Sequence, residues 1–188
     1  LGSYLIQCLF FSQKFKYDFG FEFGCITISF FHTHSLAYFW LLCVSVLGSS
    51  IGNGGPNTDT ILSPATSPDV ITVGYTKNNG TYNFDDDKVG YLSSRGGITQ
   101  NPRKPDLVTF GVDIYSLDYT GINHYSTWSG SSFSTAIVSG IAAILIEKYE
   151  HLSLGHIENI LKKNTIKLRG FDEFSQGNGE LSFVHPKI

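Results

Sequence analysis

A serine attacks a carbonyl well only when a base takes its proton and donors hold the negative oxygen that forms. The informative serines are therefore those placed where backbone N–H groups converge. Gly130-Ser131-Ser132-Phe133-Ser134-Thr135 is such a stretch: a glycine-led polar turn that runs directly into the apolar segment Ala136–Ile146. Ser132 falls in the first turn of the helix this pattern predicts, where N–H groups lack intrahelical acceptors and favour negative charge. A plain serine-rich helix cap reads the same way from these residues alone.

A second stretch carries an amide in a comparable setting. The apolar run Leu41–Leu47 leads into Ser50-Ile51-Gly52-Asn53-Gly54-Gly55-Pro56. Glycines and a proline force a tight loop straight after Asn53. An asparagine at a strand's C-terminal end lies where open α/β sheets place their ligands. The alternative is a simple Asn-Gly turn between two strands.

The elements that must position these groups follow from periodicity. Ser3 can cap a helix to about Lys16, and Ile26, Ile28 and Phe30 alternate with Thr27 and Ser29 as a short strand. A helical turn or two from Leu36 and a buried strand at Leu41–Leu47 come next. Asp69–Gly74 is a strand introduced by a proline-punctuated loop. Ala136–Ile146 is apolar all round, the mark of a buried helix. Ser153 caps a last helix in which Leu154, Ile157, Ile160 and Leu161 form a stripe and Glu158 pairs with Lys162. Strand, helix and strand in alternation predict an α/β fold of three layers, a mostly parallel sheet with helices on both faces.

Four stretches in order resemble the subtilisin-like serine proteases. Gly130-Ser131-Ser132 resembles the family's Gly-Thr-Ser, and Ile51-Gly52-Asn53-Gly54-Gly55 its Ala-Gly-Asn-x-Gly. Leu92–Gly97 is similar to Phe-Ser-Ser-Arg-Gly-Pro, and Lys104–Ile114 to Lys-Pro-Asp-Leu-x-Ala-Pro-Gly-x-x-Ile. Pro64-Ala65 with Val70–Gly74, and the turn Gly177-Asn178-Gly179, fit the same pattern. The resemblance implies a subtilisin-like fold and a serine endopeptidase acting on peptide or protein substrates. It assigns Ser132 as nucleophile and Asn53 as oxyanion donor, with Ser29, Gly52 and Gly130 at the substrate. The chain departs from the family at Phe31 (glycine), Gly97 (proline), Thr109-Phe110 (Ala-Pro) and Ala136-Ile137 (Pro-His).

The base is not found by the same route. Asp18-Phe19-Gly20 and His32-Thr33-His34 imitate the family's Asp and His motifs, but Asp18 and His32 stand too close for the sheet connection between them, and no glycine follows His32. His124, His151, His156 and His185 match no family motif. Residues 1–188 are therefore expected to be a partial subtilisin-like domain, its C-terminal half to two-thirds, incomplete on the N-terminal side and poorly matched over 1–24. The expectation is a fragment lacking the catalytic Asp and His, inactive or very weak alone. The reading from another class is a non-catalytic, degenerate protease-like module that binds peptides or a partner. A sedolisin-type enzyme is disfavoured by Asn53, because that group uses an aspartate for the oxyanion.

Composition bounds the rest. A chain of 188 residues with 41% hydrophobic residues suits one packed α/β domain. A net charge of -3 without a basic run argues against nucleic acid. The twelve-residue, largely apolar run Leu36–Leu47 falls short of the roughly 20 residues a membrane span needs. Cys8, Cys25 and Cys43 are read as buried apolar residues, with neither a zinc nor a disulfide pattern. Asp85-Asp86-Asp87 is read as a solvated loop. Neither a cofactor nor a metal is expected, although full-length family members can take calcium. The compartment stays open, with an extracellular or cell-surface tendency implied by the resemblance.

Overall fold

The computed structural model describes residues 48–81, 83–118, 124–149 and 152–182. Expectations for residues 1–47, Ser29 and the three cysteines among them, lie outside the described residues.

A mostly parallel sheet organises the chain. It contains β1 (Gly48–Ser50), β2 (Ile71–Lys77), β4 (Leu107–Phe110), β8 (Glu180–Leu181) and β7 (Thr165–Ile166) in the spatial order β1-β2-β4-β8-β7, and β3 (Lys88–Val89) also pairs with β2. The β1/β2, β2/β4 and β4/β8 pairs are parallel, whereas β3 and β7 run antiparallel to their neighbours. A separate antiparallel pair joins β5 (Ile114–Leu117) to β6 (Tyr125–Trp128). The described residues also form three α-helices: α1 (Ser131–Lys148), α2 (Leu154–Lys163) and the short α3 (Glu173–Gln176).

The period of two along each strand divides the core between the sheet's faces. Ile71, Val73, Leu107 and Leu181 pack on one face with Val138, Ala142, Leu145 and Ile146 of α1 and Ile157, Ile160 and Leu161 of α2. The intervening residue Val108 packs on the other face with Val89 and Leu168. Burying side chains of this size contributes about 1.5–3 kcal/mol each, as an upper estimate. Gly48 is opposite Ile71 in the register, and a Cβ there would touch Ser139 and Thr135 of α1.

Several expectations change in the folded chain. The strand expected over Asp69–Gly74 runs from Ile71 to Lys77, because Asp69 and Val70 are still in the turn, where the Asp69 N–H donates to Ser67 Oγ. Among the described residues α1 is buried on one side only, with Ile144 48% exposed, because the sheet and α2 meet a single face of it. Ser153 caps α2, with its side chain accepting from the His156 N–H, and the stripe Ile157, Ile160 and Leu161 is buried. Leu154, expected in that stripe, is exposed in the first turn.

Asp87 overturns the reading of a uniformly solvated acidic loop. Asp85 stays in solvent and pairs with Arg169 at 3.3 Å, but Asp87 is buried beside Glu180 of β8. Among the described residues no group of three or more His, Cys, Asp or Glu side chains is arranged to hold a metal ion.

A buried ion-pair network ties the sheet's entrance to α2. Lys104 Nζ donates to the Val70 carbonyl at 2.7 Å and to Asp106 Oδ2 at 2.6 Å, and the Thr72 N–H donates to the same carboxylate at 2.7 Å. Lys162 of α2 reaches Asp106 Oδ1 at 2.8 Å and Glu158 at 2.5 Å. Burial works against the charge on Lys162, yet these two carboxylates hold its pKa above the usual lysine value.

Candidate active site

The parallel strand order brings two distant loops to one place. β1 ends at Ser50, and Ile51 stays tied to β2 through its N–H to the Val73 carbonyl, 3.0 Å. The chain then turns at Gly52, whose φ of +98° is a conformation glycine adopts without strain. Ser94 braces the turn from beneath: its N–H donates to the Gly52 carbonyl at 3.1 Å, and its fully buried hydroxyl accepts from the Gly54 N–H at 2.9 Å. Asn53 is held at the tip of this braced loop.

The second loop arrives from β6. The Gly130 N–H donates to the Gly111 carbonyl at 2.7 Å, and Gly130 has a φ of +152° at the N-cap of α1. No side chain caps this helix from its own N-terminus. The role passes to the other loop, because Asn53 Oδ1 accepts the Ser131 backbone N–H at 3.0 Å and the Ser131 hydroxyl at 3.1 Å. Ser131 is fully buried, and its hydroxyl also accepts from the Gly52 N–H at 3.2 Å and meets Ser50 Oγ at 2.6 Å.

Both lone pairs of Asn53 Oδ1 are thus occupied, and the amide's orientation is fixed. Turning Nδ2 inward would set its hydrogens against the Ser131 N–H. Nδ2 lies beside Gly130, 3.3 Å from where a Cβ would stand, with no acceptor among the described residues. Ser132 comes next in the chain. It is exposed, in the first turn of α1, where its N–H has no intrahelical acceptor. An exposed serine, an N–H at a helix N-terminus and an amide donor with no described acceptor are thus joined through the neighbouring residues Ser131 and Gly130. Such a group can hold the negative oxygen of a tetrahedral adduct.

Of the residues singled out from the sequence, Gly52, Asn53, Gly130 and Ser132 are brought together here. Ser29 lies outside the described residues. His156 is occupied at the start of α2, its Nδ1 2.7 Å from Ser153 Oγ. His124 is exposed beside the β5/β6 pair, and neither histidine hydrogen-bonds to Ser132. Ser131 and Ser50 are not singled out by the sequence; the signal was a further hydroxyl near each loop residue, Ser131 immediately before Ser132 and Ser50 three positions before Asn53.

Comparisons with known proteins place the chain in a family. Residues 34–179 match the family model Peptidase_S8, the Subtilase family. The chain belongs to that family. It is 36% identical over 143 residues to the serine protease AprX of Bacillus subtilis (strain 168), which covers 70% of this chain and 32% of that protein. It is 30% identical over 148 residues to the human membrane-bound transcription factor site-1 protease, covering 74% of this chain and 13% of the other. Among solved structures, Sphericase superposes with a TM-score of 0.62 at 25% identity, over 82% of this chain and 54% of that one. The chain thus spans about a third or less of these curated relatives and about half of that solved one. The fold is the α/β fold of the subtilisin-like proteases, with its mostly parallel sheet.

Proposed function

We propose that this chain is the nucleophile-bearing and oxyanion-binding part of a subtilisin-type serine endopeptidase. Ser132 Oγ attacks the scissile carbonyl of a peptide, its proton passes to a base, and the carbonyl oxygen becomes an alkoxide. Asn53 Nδ2 and the Ser132 N–H donate to that oxygen. Gly52 and Gly130, without side chains, leave room for the peptide backbone beside it, and Ser29 is assigned to the substrate strand by the family resemblance alone. Collapse of the adduct expels the amine, which takes the proton, and leaves an acyl-Ser132 for water to hydrolyse.

The observation that carries this reading is the anchoring of Asn53. Its carbonyl end is saturated by Ser131, so its amide end stands ready one residue from Ser132. The catalytic Asp and His are proposed to come from sequence upstream of these residues. On that basis residues 1–188 form the C-terminal half to two-thirds of a catalytic domain. Neither cofactor nor metal enters the proposed chemistry.

Phosphonylation by a fluorophosphonate probe, with and without the upstream segment, tests this. A polypeptide that includes an Asp-x-Gly and a His-Gly-Thr-His segment labels rapidly at Ser132 and cleaves peptides, and Ser132→Ala abolishes both. Residues 1–188 alone label slowly, since a serine site without its base keeps only about 10³–10⁴-fold over water. The other reading, a protease-like module that binds peptides without cutting them, is favoured by the lack of any described histidine bonded to Ser132. Binding of a peptide without labelling or cleavage in the longer polypeptide selects it.

A further inference from the structure

The hydroxyl of Ser131 has one proton to give and two lone pairs to fill. Three groups surround it: the Gly52 N–H at 3.2 Å, Asn53 Oδ1 at 3.1 Å and Ser50 Oγ at 2.6 Å. Two of these have fixed roles. The Gly52 N–H only donates. Asn53 Oδ1 only accepts, and its identity as oxygen is set by the Ser131 backbone N–H that also points at it, 3.0 Å away. If the Ser131 proton went to Ser50, two lone pairs would face each other at 3.1 Å in a buried place. The arrangement that satisfies every group has Ser50 donating to Ser131, and Ser131 donating to Asn53.

Ser50 reaches Ser131 because of strand register. It is opposite Val73, whose side chain packs against α1, so Ser50 faces the same helix and meets it at its first residue. We propose that Ser50 is a positioning residue for the oxyanion donor: its hydroxyl fills the last lone pair of Ser131, commits the Ser131 proton to Asn53 Oδ1, and so holds Asn53 Nδ2 toward the site. The route runs Ser50 to Ser131 to Asn53, and Ser50 itself touches no reacting atom. The idea rests on the peptidase reading for its catalytic consequence, and on the hydrogen-bond arrangement alone for its effect on Asn53.

The test separates these two parts. The chain is labelled with 15N at asparagine, and the Asn53 side-chain amide signal is assigned by its loss in Asn53→Asp. Ser50→Val and Ser50→Thr have the same shape and differ only in the hydroxyl, and the dispersion of the backbone amide spectrum reports folding. Ser50→Val is expected to move the Asn53 amide signal and speed its solvent exchange, while Ser50→Thr recovers most of the wild-type behaviour. In the polypeptide with the upstream segment, Ser50→Val slows phosphonylation of Ser132 by about three- to ten-fold, as for loss of one neutral hydrogen bond. The loss falls in the rate of the chemical step, with probe binding unchanged.

An Asn53 amide signal that is the same in Ser50→Val as in wild type overturns the proposal. So does a shift common to Ser50→Val and Ser50→Thr, or unaltered phosphonylation where wild type is labelled. If Ser50→Val alone moves the signal and wild type is never labelled at Ser132, the hydrogen-bond route stands and the peptidase reading falls. If Ser50→Val does not fold, the comparison passes to Ser50→Ala against Ser50→Thr with the same criteria.

Discussion

Asn53 Oδ1 accepts both the backbone N–H and the hydroxyl of Ser131, a residue 78 positions further along the chain. That double acceptance caps α1 and immobilises a side chain on an exposed loop. It also decides which end of the amide faces the site, and hence what the site can bind.

Removing the amide donor tests its importance directly. Asn53→Leu, or Asn53→Asp with an acceptor in place of the donor, is expected to lower the rate of Ser132 phosphonylation by about 10²–10³-fold in the polypeptide with the upstream segment. Probe affinity stays within a few-fold. An equal loss of affinity and rate would indicate a binding role for Asn53 without a role in the adduct.

Gly130 separates the two loops by the width of a missing methyl group. A Cβ there would stand 3.3 Å from Asn53 Nδ2, on a backbone whose φ of +152° side chains rarely adopt. Gly130→Ala is expected to displace the amide and slow phosphonylation by roughly ten- to a hundred-fold. The Asn53 side-chain amide signal should shift with it. A variant that labels at the wild-type rate would show that the loops tolerate a wider spacing.

Asp106 is expected to matter for folding more than for chemistry. It is 6% exposed and receives two lysines and the Thr72 N–H, and Lys104 is itself 2% exposed. Asp106→Ala leaves the Lys104 ammonium buried without its partner, a loss of about 3–5 kcal/mol. Urea unfolding followed by circular dichroism measures it. A loss below about 1 kcal/mol would mean that water reaches Lys104.

Stability should also depend on pH through Glu180. Its carboxyl lies buried on the sheet face away from α1, with the Thr76 hydroxyl donating to it and Asp87 beside it. Burial first, and then the neighbouring Asp87 charge, push its pKa up to about 8. Asp87 is raised too, chiefly by burial, and the two titrate as a pair. The folded chain thus binds a proton the unfolded chain has released. This contribution is fully present below about pH 4.5 and is lost as pH rises through about 8, at up to about 1.4 kcal/mol per pH unit. Glu180→Gln should flatten that slope between pH 5 and 8, which urea midpoints would show. An unchanged slope would place the proton elsewhere.

What the sequence disclosed, and what it did not, follows the range of the interactions. The Ser153 cap, the Glu158–Lys162 pair and the buried stripe Ile157, Ile160 and Leu161 depend on residues within one or two helical turns, and the pattern exposes them. Ser132 and Asn53 were visible because each sits in a glycine-framed turn that only certain residues can form. Asp87 departs from the expected solvated loop because it is buried beside Glu180, which lies on a strand distant in sequence. Ser50 and Ser131 were passed over for the same reason: separately they are ordinary serines, and only the parallel pairing of β1 with β2 beneath α1 puts their oxygens 2.6 Å apart. The one-sided burial of α1 depends on what lies against it, which composition cannot say.

The most direct test is the structure of the fluorophosphonate adduct in the polypeptide that carries the upstream segment. The account predicts phosphorus bonded to Ser132 Oγ, with one phosphonyl oxygen about 2.7–3.1 Å from both Asn53 Nδ2 and the Ser132 N–H nitrogen. An adduct on a different serine, or a phosphonyl oxygen turned away from Asn53, would contradict it.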